Sequence, residues 1–143
     1  MSDAAKPVPR PDEGSRRYFE GARRGELLVQ RCTRCGAYVA HPAYGGPPTR
    51  CTRCLHDALD WVPVSGRGTL YSFGIMHTAF HPGFAGALPY NVAIVELEEG
   101  VRMTTNVVGC ANEDLRIGMA LRVVFEPVSE TVALPRFEPA AEP

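Results

Sequence analysis

The chain has 143 residues, 45% hydrophobic and 22% charged, with a formal net charge of −1. That size suits one ordinary domain, or a small domain carrying a metal module, and the balance of apolar and charged residues excludes a disordered chain. No apolar run approaches the ~18 residues that mark a membrane span, and the N-terminal stretch lacks the apolar core of a secretory signal, so a cytoplasmic, reducing setting with no membrane partner is expected.

Net charge near zero hides an asymmetry. Residues 1–68 carry eleven Lys/Arg against seven Asp/Glu, a balance of +4, and residues 69–143 carry four against nine, a balance of −5. The front half is the place to look for an anionic partner, and the back half repels polyanions. Residues 1–11, polar and holding Pro7, Pro9 and Pro11, are expected to be a flexible N-terminus. Residues 12–30 predict a helix and a lead-in strand. The helix takes Asp12 or Ser15 as cap and Gly25 as stop, with Tyr18, Phe19 and Ala22 on one side. Arg16, Arg17, Glu20, Arg23 and Arg24 form the other side, which is either a solvated face or a docking face. Glu26–Gln30 is the strand.

Residues 31–60 hold Cys32-x2-Cys35-x15-Cys51-x2-Cys54, the spacing of two knuckles that close a four-thiolate shell. Four unrelated core cysteines or two disulfides are the bland alternatives, and neither accounts for paired C-x-x-C motifs at this separation. With cysteine at all four positions no place stays open for water or substrate, so the expected metal is structural Zn2+; iron in a rubredoxin-like site uses similar knuckles and stays open as an alternative. A thioredoxin-like redox motif would open a helix after a buried strand, whereas Gly36 directly after Cys35 reads as a knuckle turn. Arg31, Arg34, Arg50 and Arg53 flank the cysteines. They could grip phosphates or an acidic patch, or simply offset the −2 charge of Zn2+ with four thiolates. The Pro- and Gly-rich stretch Tyr38–Arg50 forbids a helix and suits a loop between knuckles. His41 and His56 lie near the metal in sequence, but four cysteines already complete the shell.

From Trp61 the chain reads as strands. Gly68–Thr78, Tyr90–Leu97, Val101–Val108 and Leu121–Glu126 alternate with period two, and Thr131–Phe137 supplies a fifth strand broken by Pro135. Glu98-Glu99-Gly100 is a tight hairpin turn, and Leu115–Met119 a turn at a barrel corner. Five short strands without a strong helix predict a Greek-key barrel of OB type over residues 61–138, with an open sandwich as the alternative and 139–143 as a flexible C-terminus. The fold class is therefore mainly β: a short N-terminal helix, a four-cysteine ribbon and a C-terminal barrel.

The long loop His77–Pro89 carries His77, Phe80, His81 and Phe84 and runs into Tyr90. Two phenylalanines are costly to leave in water, so these five residues are candidates for covering an acyl chain or for inserting at a subunit interface. No Ser, Cys or carboxylate stands beside the histidines, which favours loop anchoring over acid–base catalysis. Cys110 stands alone and reads as a small buried hydrophobe.

The order Gly25–Gly36, Cys51-x2-Cys54, Ser65–Phe73, Pro89–Arg102, Gly118-Met119 and Val123–Glu126 resembles the DUF35 family of OB-fold proteins with an N-terminal rubredoxin-like zinc ribbon, over about residues 15–138. The resemblance implies an accessory subunit of a complex that forms or cleaves carbon–carbon bonds in acyl-CoA substrates. Catalysis would then lie in a thiolase-like partner, either a thiolase or a lipid-transfer-protein-type aldolase. The second reading is a single-stranded nucleic-acid binder. Against it stand Glu96, Glu98 and Glu99 beside Tyr90 and Arg102, where a basic groove with stacking platforms would be needed. A stand-alone enzyme is disfavoured by the lack of a nucleophile–base pair or an open metal site.

Overall fold

The structure, a computed structural model, describes residues 5–39 and 47–141. A short helix, α1 (Arg16–Arg23), is followed by β1 (Leu28–Cys32), β2 (Tyr38–Val39), β3 (Leu59–Pro63), β4 (Arg67–Met76), β5 (Tyr90–Leu97), β6 (Arg102–Thr105), β7 (Ala120–Pro127) and β8 (Ala133–Pro139). Asp12 and Ser15 act together at the helix start. The Asp12 carboxylate accepts from the Ser15 amide at 2.8 Å and its hydroxyl at 2.9 Å, and Ser15 sits at the cap position. The helix ends at Gly25, whose φ of +82° lets Glu26 N–H reach the Gly21 carbonyl at 2.8 Å and Gly25 N–H reach that of Ala22 at 3.1 Å. Of the two aromatics on the helix, Tyr18 finds its surface inside the chain, 6.2 Å from the Trp61 ring on β3. Burial pushes its phenol up to about 12, opposed by the nearby Arg136 guanidinium.

Three strands in the order β2-β1-β3 make the stem of the cysteine module, with β1 and β3 paired from Leu28↔Pro63 to Cys32↔Leu59. The second sheet runs β6-β5-β4-β7-β8. Its first strand, β4, pairs with both β5 and β7, and a parallel bridge Val107↔Phe137 draws the β6 end towards β8, which curls the sheet into the OB-type half-barrel expected from the sequence. The curl has a local cause. Tyr71 is an extra residue in β4, since Leu70 pairs with Val95 while Ser72 already pairs with Ile94, and such a bulge bends and twists its strand. Gly68 permits the close approach of β4 to β5; a Cβ there would lie 2.4 Å from the Glu96 carbonyl oxygen. The Glu98–Gly100 turn is as expected, with Leu97 N–H bonded to Val101 at 2.8 Å and Gly100 at φ +92°. Strand β8 passes through Pro135 unbroken, because an edge position tolerates the missing N–H.

Alternation decides the burial. Along β5, Asn91, Ala93, Val95 and Leu97 face in while their neighbours are half-exposed. The main core gathers Leu70, Val95, Leu121 and Phe137 from the barrel with Leu27 and Val29 from the base of the ribbon stem. A separate small cluster of Cys32, Val39 and Cys51 lies at the far end of the stem. The cysteine end is thus packed on its own, while the stem is rooted in the barrel.

Candidate functional site

The two knuckles are copies of one pentapeptide. Arg31-Cys32-Thr33-Arg34-Cys35 and Arg50-Cys51-Thr52-Arg53-Cys54 are identical, and the backbone treats them alike. In the first, the Arg34 and Cys35 amides each donate to Cys32 Sγ at 3.4 Å; in the second, the Arg53 and Cys54 amides donate to Cys51 Sγ at 3.3 and 3.4 Å. Each knuckle is closed by a residue with positive φ, Gly36 at +76° and Leu55 at +66°, whose N–H returns to the carbonyl of Cys32 or Cys51 at 3.1 or 3.0 Å.

All four sulfurs lie within 4.8 Å of one another. Cys32–Cys54 and Cys35–Cys51 stand at 3.6 Å. A tetrahedron of thiolates about 2.3 Å from a central ion has an edge of about 3.8 Å, so the cluster fits one tetrahedral metal ion. The thiols are electrostatically prepared for it. Cys51 is drawn down to about 6, first by the Cys54 amide, then against burial by that of Arg53. Burial raises Cys32, but the Cys35 and Arg34 amides outweigh it and its thiol ends low. Cys54 is pushed up to about 11: the His56 amide lowers it, but burial and the three neighbouring sulfurs raise it more. Thiolates crowded this closely hold back a proton until a cation balances them.

Among the flanking arginines, the structure separates two uses. Arg31 donates through Nε to the Gly36 carbonyl at 2.9 Å and lies 4.8 Å over the Tyr38 ring; Arg50 donates through Nη1 to the Leu55 carbonyl at 3.2 Å. These two fasten their own knuckles. Arg34 and Arg53 are exposed, and among the described residues their guanidinium groups have no carboxylate partner. His41 lies outside the described residues.

The loop after β4 folds into a 3-10 helix, Pro82–Ala87, started by His81, whose Nδ1 accepts from the Gly83 amide at 2.9 Å. That hydrogen bond fixes His81 to the start of its own turn. Phe84 packs 5.5 Å from Tyr90 and lines with it a cavity of about 250 Å³ whose other wall includes Arg136 and Cys110. His77 and Phe80 stay outside it, Phe80 being 83% exposed. Burial, with Asp114 nearby, raises the Cys110 thiol, the reverse of an activated nucleophile.

Sequence reasoning missed three features. Asn91, buried in β5, clasps both backbone groups of Val107: its Nδ2 donates to the carbonyl at 2.8 Å and its Oδ1 accepts from the amide at 2.7 Å. The bulged Tyr71 carries the Arg102 guanidinium on its ring at 3.8 Å, with Arg102 also paired to Glu96 at 2.9 Å. Leu55 is 68% exposed in a left-handed conformation. Only the last had a signal in the sequence, the pentapeptide repeat with Gly after one copy and Leu after the other.

Comparison with known proteins agrees with this architecture. Residues 61–126 match the family model described as ChsH2, C-terminal OB-fold domain. The chain is 36% identical over 137 residues to a probable enoyl-CoA hydratase alpha subunit of Thermomonospora curvata, a match that takes in 96% of this chain but 41% of that protein's length. A chain of the solved Ltp2-ChsH2(DUF35) aldolase superposes with a TM-score of 0.79 at 35% identity, covering 94% of this chain and 100% of that one. Over 107 residues the chain is 35% identical to a DUF35 domain-containing scaffold protein of Methanocaldococcus jannaschii, covering 73% of this chain and 70% of that protein. With ribbon, half-barrel and relatives in agreement, the chain belongs to the DUF35 family.

Proposed function

We propose that this chain is an accessory subunit of a hetero-oligomeric enzyme complex acting on acyl-CoA substrates, in which a thiolase-superfamily partner, a thiolase or a lipid-transfer-protein-type aldolase, carries the catalysis. The observation that carries this reading is the alignment of nearly the whole chain with the full length of a chain of the Ltp2-ChsH2(DUF35) aldolase. The kinship with a hydratase alpha subunit supports the acyl-CoA setting. The hydrogen bond that ties His81 Nδ1 to its own turn and a raised Cys110 thiol support an assembly role over catalysis by the chain itself.

In this reading the four cysteines hold structural Zn2+, which suits a filled thiolate shell and stabilises a segment whose own apolar cluster is small. Arg34 and Arg53 meet anionic groups, either the phosphates of coenzyme A or acidic side chains of the partner. Arg31 and Arg50 keep the knuckles in shape. Phe80 projects for contact with the partner or an acyl chain, and Phe84 with Tyr90 line the cavity beside Cys110 and Arg136. The nucleic-acid reading has less support: Arg67 and Arg102 on the barrel are tied to Glu98 and Glu96 at 3.0 and 2.9 Å, which neutralises the strands where a basic groove would run.

The test is affinity purification of the tagged chain from its native host, followed by mass spectrometry and acyl-CoA assays. A stoichiometric thiolase-fold protein, active in the complex while the isolated chain turns over no acyl-CoA, is the expected outcome. Nucleic acid that survives a salt wash, or robust turnover by the chain alone, would overturn the reading.

A further inference from the structure

Resting on the reading that the chain docks on an enzyme subunit, we propose that the tip of the second knuckle is a docking anchor. Leu55 enters an apolar socket on the partner, and Arg53, two residues before it, pairs with an acidic side chain on the socket's rim. The starting point is a contrast inside the repeat. Gly36 and Leu55 do the same backbone work, each returning its N–H to the first cysteine of its knuckle and offering its carbonyl to an arginine. Glycine suits the left-handed φ this requires, whereas a leucine Cβ crowds the following carbonyl there.

Among the described residues Leu55 joins no apolar cluster that would offset that strain. Its side chain is 68% exposed, whereas Ala37, Cys54 and Leu59 of the same module pack on the cysteine core. An apolar side chain held out on a metal-braced turn, whose backbone is fixed by the Cys51 carbonyl and the Arg50 guanidinium, is pre-organised for insertion.

The charge around it selects the partner. Every arginine of the barrel is satisfied within the chain: four pair with carboxylates, and Arg116 holds two backbone carbonyls. Arg34 and Arg53 pair with neither Asp57 nor Asp60 of their own module, and their backbone amides bind sulfurs of the same cluster. One projecting leucine two residues from Arg53, whose guanidinium has no carboxylate partner among the described residues, is complementary to an apolar pocket with an acidic rim. A single-stranded nucleic acid would gain no aromatic stacking from the leucine.

The proposal assigns opposite signs to stability and binding. The probe is the enzyme subunit that co-purifies with the wild-type chain, purified separately, its affinity for metal-loaded variants measured by calorimetry. Leu55→Gly relieves the strain and should raise the thermal midpoint of the isolated chain by about 3 °C while weakening binding about tenfold or more. Leu55→Asn, also tolerant of this φ, should weaken binding similarly, and Leu55→Met should retain it. Arg53→Glu should weaken binding at low salt, with the loss shrinking as salt rises. Unchanged affinity in Leu55→Gly and Leu55→Asn, with the wild-type complex intact, would overturn this anchor and leave the accessory-subunit reading standing. A wild-type chain that binds no enzyme subunit overturns both.

Discussion

Asn91 shows how one side chain can do the work of a strand pair. Between β6 and the first bridge to β8 the chain leaves regular pairing, and the buried Val107 would have an unmet amide and carbonyl if Asn91 did not supply both partners. A second amide, Asn112, joins the cluster by accepting from Asn91 Nδ2 at 3.1 Å. Replacing Asn91 with alanine strands two buried backbone groups, each costing about 1–3 kcal/mol. Asn91→Ala is therefore expected to lose about 3 kcal/mol in urea unfolding, whereas Asn91→Ala within 0.5 kcal/mol of wild type, on the order of a surface substitution, would show that water replaces the clasp. The residue was invisible in the sequence because an asparagine inside an alternating strand carries no mark of what it faces. Cys32, Cys35, Cys51 and Cys54 were legible for the opposite reason: metal coordination constrains spacing along the chain as well as position in space.

At the scale of elements, the stem and the knuckles divide the ribbon. The stem strands root in the barrel core through Leu27 and Val29, while the cysteine end packs only on itself. Cys32→Ser should therefore release the metal and loosen the knuckles without dissolving the barrel. The expected result is loss of bound zinc by elemental analysis, with most of the strand signal in circular dichroism retained. Collapse of the whole signal would show that the knuckles and barrel unfold as one unit. The barrel strands were readable from their period-two alternation, β5 to the residue, but β2 and β3 of the stem were not. The helix was readable from its terminators, Ser15 taking the cap position with the Asp12 carboxylate bonded to it. The interaction of Tyr18 with Trp61 was not readable, because it joins elements far apart in sequence.

For the molecule as a whole, closure of the half-barrel depends on Phe137. It is 0% exposed, lies in the core, and exchanges backbone bonds on both sides, its amide donating to Asn106 at 3.1 Å and its carbonyl accepting from Val108 at 2.8 Å. Phe137→Ala keeps the backbone bridge but empties the core behind it, at a cost of about 3–5 kcal/mol. For a domain stable by about 5–15 kcal/mol, that is a large share, and the denaturant midpoint should fall accordingly. A shift of less than about 1 kcal/mol would mean that the barrel holds its shape without this plug.

The sequence alone determined the four-cysteine cluster, the five barrel strands and the barrel class, while the stem strands β2 and β3 went unread, β2 lying in a Pro- and Gly-rich stretch taken for loop. Each feature it determined follows from local rules, ligand spacing in one case and side-chain alternation in the others. It also carried enough ordered motifs for the DUF35 resemblance. Tertiary structure decided which of four similar arginines are spent on their own knuckles and which have no carboxylate partner among the described residues, since that depends on carbonyls and carboxylates brought in by folding. It likewise decided that Leu55 stands out in a glycine's conformation, because φ is set by the turn the two cysteines impose and not by the residue that occupies it.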